Sequence, residues 1–96
     1  MPAYIIAQEV INDRDEFDKY RAGVHAVLKK YQGEIIVSNE DVEVFEGKWP
    51  YTKTVVVRFP SIEQAKRWYN SEEYSEVVQN RFRAADTNLI LVDGRA

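Results

Sequence analysis

The chain has 96 residues, enough for one domain with its own core, and residues 1–96 are read as that single domain. Its hydrophobic residues (45%) and charged residues (30%) are in ordinary proportion for a folded soluble protein. A net charge of −3 disfavours nucleic acid and anionic membranes as partners, and the lack of cysteine excludes disulfides, thiolate chemistry and Cys-ligated metals.

Ala3 to Ile11 is apolar and β-branched, and reads as a strand that stops at Asn12-Asp13. No basic–apolar leader is expected, because Met1-Pro2 runs straight into that strand, and no apolar run approaches the ~20 residues of a membrane-spanning helix. A cytoplasmic protein without membrane partners is therefore expected. Asn12 or Asp13 can cap a helix, with Asp15 and Glu16 favourable in its first turn. Phe17, Tyr20, Val24, Leu28 and Tyr31, with Val27 beside them, recur at helical spacing as one buried stripe. Gly33 is expected to end that helix in a left-handed cap.

Glu34 to Val37 reads as a strand, Ser38 to Asp41 as a turn, and Val42 to Glu46 as resumed extended chain closed by Gly47. Pro50 marks a loop. Lys53 to Phe59 is the clearest strand, centred on Val55-Val56-Val57 and stopped by Pro60. Ser61 with Gln64 forms a capping box for the next helix, which carries Ile62, Ala65, Trp68 and Tyr69 inward. That helix breaks near Asn70, and Ser71 restarts it. Tyr74, Val77, Val78, Phe82 and Ala85 form the second segment's apolar face, and Asp86-Thr87-Asn88 breaks it before the strand Leu89 to Val92. The order is β-α-β-β-α-β, a ferredoxin-like α+β fold with a four-stranded antiparallel sheet.

Both faces of that sheet are apolar. Ala3, Ile5, Ala7 and Ile11 oppose Tyr4, Ile6 and Val10, while Val55, Val57 and Phe59 oppose Thr54, Val56 and Arg58. The helices cover one face only. A second copy is expected on the other, as a homodimer through the sheet faces forming a dimeric α/β barrel.

Two residues are candidates for chemistry. His25, the only histidine, sits on the flank of the first helix, where it could meet a cleft or solvent and exchange a proton near neutral pH. Arg81 interrupts an apolar face and needs an anionic or carbonyl partner, with Glu46, a carboxylate across the dimer or the acid group of a ligand as the candidates. Tyr20, Trp49, Trp68, Tyr69 and Tyr74 are candidate ligand-binding residues, because indole and phenol groups suit a mostly apolar pocket with a few polar tips. The same aromatics also serve packing. A lone histidine cannot build a three-histidine zinc site, and no glycine-rich phosphate loop or nucleophile elbow occurs. No metal or cofactor is expected.

Glu46-Gly47-x-Trp49, Phe59-Pro60-Ser61 and Ala65-x-x-Trp68-Tyr69-x-Ser71-x-x-Tyr74 resemble the pattern of the domain of unknown function numbered 1330. Tyr20, Tyr31-x-Gly33, Arg81 and the closing apolar strand extend the likeness over nearly the whole chain. The resemblance implies a ferredoxin-like chain in a dimeric α/β barrel and brings no assigned reaction. The expected function is a homodimeric barrel binding a small, partly apolar organic acid or ring compound. It would act as a cofactor-free enzyme or, alternatively, as a non-catalytic binding or stress protein.

Overall fold

The computed structural model describes residues 1–95. Seven elements follow one another: β1 (Ala3–Ile11), α1 (Arg14–Lys30), β2 (Glu34–Asn39), β3 (Lys53–Phe59), α2 (Ile62–Tyr69), α3 (Glu72–Ala84) and β4 (Ala85–Asp93). The strands form one antiparallel sheet in the order β2-β3-β1-β4, and the helices pack on one of its faces. This is the ferredoxin-like α+β fold, with the second helical segment split into α2 and α3 at Asn70-Ser71.

Each helix starts where a side-chain oxygen meets an orphan backbone N–H. Glu16 N–H donates to Asp13 at 3.2 Å, Gln64 N–H to Ser61 at 3.1 Å and Tyr74 N–H to Ser71 at 3.1 Å. The Ser61 box is only half made, because the Gln64 amide oxygen turns instead toward Arg67. Ser71 does more than cap α3. Its hydroxyl also donates to the Trp68 carbonyl at 2.8 Å, which ties the end of α2 to the start of α3.

The end of α1 differs from expectation. Gln32, with φ 64°, holds the left-handed position, and Gly33 follows it. Gly33 is needed for space instead: a Cβ there would lie 2.8 Å from both Leu28 and Phe59. Val42 to Glu46 is not a strand. Residues 40–52 form a loop whose alternating Val-Glu-Val-Phe pattern finds no sheet edge, and Phe45 is 88% exposed. Ser38 and Asn39 belong to β2, opposite Val55 and Thr54 of β3.

Asp86, Thr87 and Asn88 do not break the chain. They pair with Val10, Glu9 and Gln8 of β1, so cross-strand hydrogen bonds override their turn propensity. Strand β4 therefore begins at Ala85 directly after α3. The Ala84 carbonyl accepts from Asn12 N–H at 2.7 Å and Asp13 N–H at 3.0 Å, fixing the end of α3 beside the β1–α1 junction. Phe82 and Tyr69, expected inward, are exposed.

The core lies between the helices and Ile5, Val57 and Phe59 of the sheet, with Trp68, Tyr74 and Phe59 its largest fully buried side chains. Burial of each contributes roughly 2–3 kcal/mol. No helix of the described residues covers the opposite sheet face. Val37, Val56, Ile6 and Ile90 line up across all four strands there, and Val37 and Ile90 are exposed.

Candidate functional site

Between α1 and the helix-facing side of the sheet lies a cavity of ≈ 340 Å³. Its walls are mostly apolar, from Ile5, Val24, Leu28, Val55 and Val57 among others. One end is charged. Glu9 of β1, Lys53 of β3 and Arg81 of α3 all line the cavity and are 2%, 7% and 4% exposed.

Sheet register brings the first two together. Glu9 is paired with Lys53 on one side and Thr87 on the other, so the three side chains form a row across β3, β1 and β4. Thr87 donates its hydroxyl to a Glu9 oxygen at 3.3 Å. Arg81 comes down from the last turn of α3, held near its place by the Ala84 clamp. Its guanidinium carbon lies 5.7 Å from the centre of the Tyr20 ring and 5.5 Å from that of Phe82. The Lys53 ammonium sits 5.2 Å from the Phe17 ring centre. Such cation–π contacts contribute about 0.5–2 kcal/mol each.

Neither cation forms a direct ion pair with Glu9. The ion pairs among the described residues are Arg14–Glu40, Lys19–Glu16, Arg21–Asp18, Lys30–Glu73 and Arg83–Glu16. The Arg81 Nε is buried with no hydrogen-bond partner among the described residues, and so is the Trp68 Nε1. Both are donors without an acceptor of their own. Burial pushes the Glu9 carboxyl above its ordinary range, against the opposing pull of Arg81, Lys53 and the Thr87 bond. Burial also lowers the Lys53 ammonium, and nearby Arg21 adds to that shift.

Four of the seven residues singled out from the sequence meet in this cavity: Tyr20, Trp68, Arg81 and His25. His25 is exposed at its rim. Tyr74 stands behind the wall, its hydroxyl 3.0 Å from that of Tyr20 and its ring centre 4.1 Å from that of Trp68. Tyr69 lines a separate hollow with Lys66 and Leu91, and Trp49 packs edge-on against Tyr51 in the 40–52 loop. Glu46, a suggested partner of Arg81, is exposed in that same loop, and the buried carboxylate that shares the charged end of the cavity with Arg81 is Glu9.

Glu9 and Lys53 are the residues that sequence reasoning missed. A signal was available. In strands of period two, Glu9 shares a face with Ala3, Ile5 and Ala7, and Lys53 shares one with Val55, Val57 and Phe59. A charge on the buried face of a strand is the anomaly to look for.

The fold recurs in proteins of very different sequence. A protein of unknown function from Rhodopseudomonas palustris superimposes with a TM-score of 0.83 at 14% identity, covering 99% of this chain and 83% of that one. SnoaB, a cofactor-independent oxygenase from Streptomyces nogalater, gives a TM-score of 0.69 at 10% identity over 99% and 94% of the two chains. A dimeric protein of unknown function and ferredoxin-like fold from Bacteroides fragilis gives 0.65 at 9% identity over 97% and 96%. No curated protein matches the sequence. The likeness that reaches the level of sequence is to the domain of unknown function DUF1330, whose model matches residues 2–95, and the chain belongs to that family.

Proposed function

We propose that this protein is a homodimeric barrel that binds a small, partly apolar organic acid in the cavity between α1 and the sheet, and acts on it without a cofactor. The observation that carries the reading is Arg81: a guanidinium 4% exposed, its Nε unpartnered, at the charged end of an otherwise apolar cavity. A buried cation without a direct partner is costly, and a carboxylate supplies the missing acceptor in a matching fork geometry. Tyr20 and Trp68 shape the wall, and His25 stands exposed at the mouth. The likeness to a cofactor-independent oxygenase agrees with a barrel that needs no prosthetic group.

The dimer is supported by the apolar row Val37–Val56–Ile6–Ile90 on the helix-free face. Sedimentation of the wild type is expected at twice the 11.2 kDa of one chain. Val56→Asp is expected to give monomer or unfolded chain, since an unpaired buried charge costs several kcal/mol. A wild-type monomer at micromolar concentration overturns the dimer.

The ligand reading is tested by Arg81→Met. The empty variant should melt at or above the wild-type temperature, because an unpaired cation is removed. Small aromatic and branched carboxylic acids should stabilise the wild type, and bind the variant more weakly by about 2–5 kcal/mol. A strongly destabilised variant, with no acid-dependent shift in the wild type, overturns the reading.

A further inference from the structure

We infer that Glu9 is the proton-transfer group of this cavity, and that the protein catalyses enolisation of a monoanionic keto acid whose carboxylate is held by Arg81. This rests on the ligand reading above and adds a reaction class to it.

The inference starts from charge. Two cations, Lys53 and Arg81, and one carboxylate, Glu9, are buried around one end of the cavity, so among the buried groups one positive charge is in excess; Arg21, which also lines the cavity, is exposed to solvent. Among the described residues none of the three is in a direct ion pair, and every ion pair lies elsewhere on the protein. A purely structural cluster would close its charges onto one another. Here all three line the cavity, and a ligand with one negative charge brings the buried total to zero.

That balance survives proton transfer. The C–H bond beside the keto group breaks and its proton forms an O–H bond on Glu9. The electron pair moves to the keto oxygen, giving an enolate facing Lys53 and Arg81. Glu9 loses one negative charge as the ligand gains one, so the buried total stays at zero. Return of the proton to the oxygen, in place of the carbon, completes the tautomerisation. No oxidant or further reactant is consumed.

Glu9 is suited to this task. The Thr87 hydroxyl orients one of its oxygens, and its own strand β1 lies inside the sheet between β3 and β4, which holds the carboxylate in place. Burial raises its proton affinity, the direction that suits a general base. His25, by contrast, is exposed at the rim.

The test follows exchange of the protons beside the keto group in heavy water by proton NMR, with phenylpyruvate and the keto acid of leucine as probes. Binding is measured in parallel by thermal shift. The wild type should accelerate exchange of at least one probe by more than about tenfold over buffer. Glu9→Gln should lose on the order of 100-fold or more of that rate while still binding the probe. Glu9→Asp, which keeps the charge and withdraws it by one methylene, provides a second variant should Glu9→Gln not fold, and should retain only a fraction of the rate. Binding without exchange overturns the proton-transfer assignment and leaves the ligand reading standing. Loss of exchange in His25→Ala, with Glu9→Gln unaffected, overturns it in favour of the mouth. Binding of neither acid overturns both readings.

Discussion

The hydroxyl of Tyr20 on α1 lies 3.0 Å from the hydroxyl of Tyr74 on α3. This contact joins the two long helices at the wall of the cavity, and the Tyr20 ring is also the face on which the Arg81 guanidinium rests. Burial raises the pKa of both phenols, so both stay protonated and one donates to the other. Tyr20→Phe leaves the Tyr74 hydroxyl buried without its partner and should cost about 1–3 kcal/mol in urea denaturation. The double variant Tyr20→Phe/Tyr74→Phe should cost less than the sum of the two single changes, because no orphan remains. Simple additivity would mean that the pair does not act as a unit.

The two serine caps should differ. Ser61 accepts one backbone bond at the start of α2, so Ser61→Ala should cost about 1 kcal/mol. Ser71 is buried, accepts from Tyr74 N–H and donates to the Trp68 carbonyl. Ser71→Ala removes both bonds and should cost about 2–3 kcal/mol. Equal denaturation midpoints for the two variants would contradict the joint role of Ser71.

The turn after α1 separates conformational freedom from space. Gln32 holds a left-handed φ of 64°, so Gln32→Gly should stabilise by about 0.5–1 kcal/mol. At Gly33 a methyl group would press on Leu28 and Phe59, so Gly33→Ala should destabilise by about 1–3 kcal/mol. Opposite signs in thermal melts are the expected result. A stabilised Gly33→Ala would show that the Phe59 ring can move aside.

Two carboxylates should tilt the pH dependence in opposite directions. Hydrogen bonds from Asn80, Lys19 and Arg83 hold the Glu16 carboxyl at about 2, below its ordinary 4.5. Its contribution is complete above the ordinary value and is lost as pH falls toward about 2. Glu9 is raised by burial, so its penalty is absent below its ordinary pKa and appears as pH rises through the folded value. Glu9→Gln should therefore melt higher than the wild type at neutral pH and equal it in acid. Glu16→Gln should melt lower at neutral pH and converge with the wild type toward about pH 2. A Glu9→Gln variant less stable at neutral pH would show that its carboxylate is needed to balance Lys53 and Arg81 in the empty protein.

Local signals were enough to place most of the framework. Asp13, Ser61 and Ser71 cap the helices they precede because a short oxygen-bearing side chain reaches an orphan N–H from its own backbone. The stripe Phe17–Val24–Leu28 and the run Val55–Val57–Phe59 follow periods of 3.6 and 2 that need no knowledge of neighbours. Where propensity misled, a long-range partner was present or missing. Asp86-Thr87-Asn88 look like a turn but bond along β1, whereas Val42-Glu43-Val44 look like a strand but have no strand beside them.

The sequence by itself determined the order of elements, the break at Asn70-Ser71, the two apolar sheet faces and Arg81 as the buried charge that needs an explanation. Only the tertiary structure decided what surrounds that charge. Glu9, Lys53 and Thr87 lie far apart along the chain and become neighbours through strand register, while Arg81 is brought to the same end of the cavity by the docking of α3, whose Ala84 carbonyl is clamped at Asn12 and Asp13. Register and helix docking are set by the combined packing of whole faces, so no local pattern encodes which charge meets which.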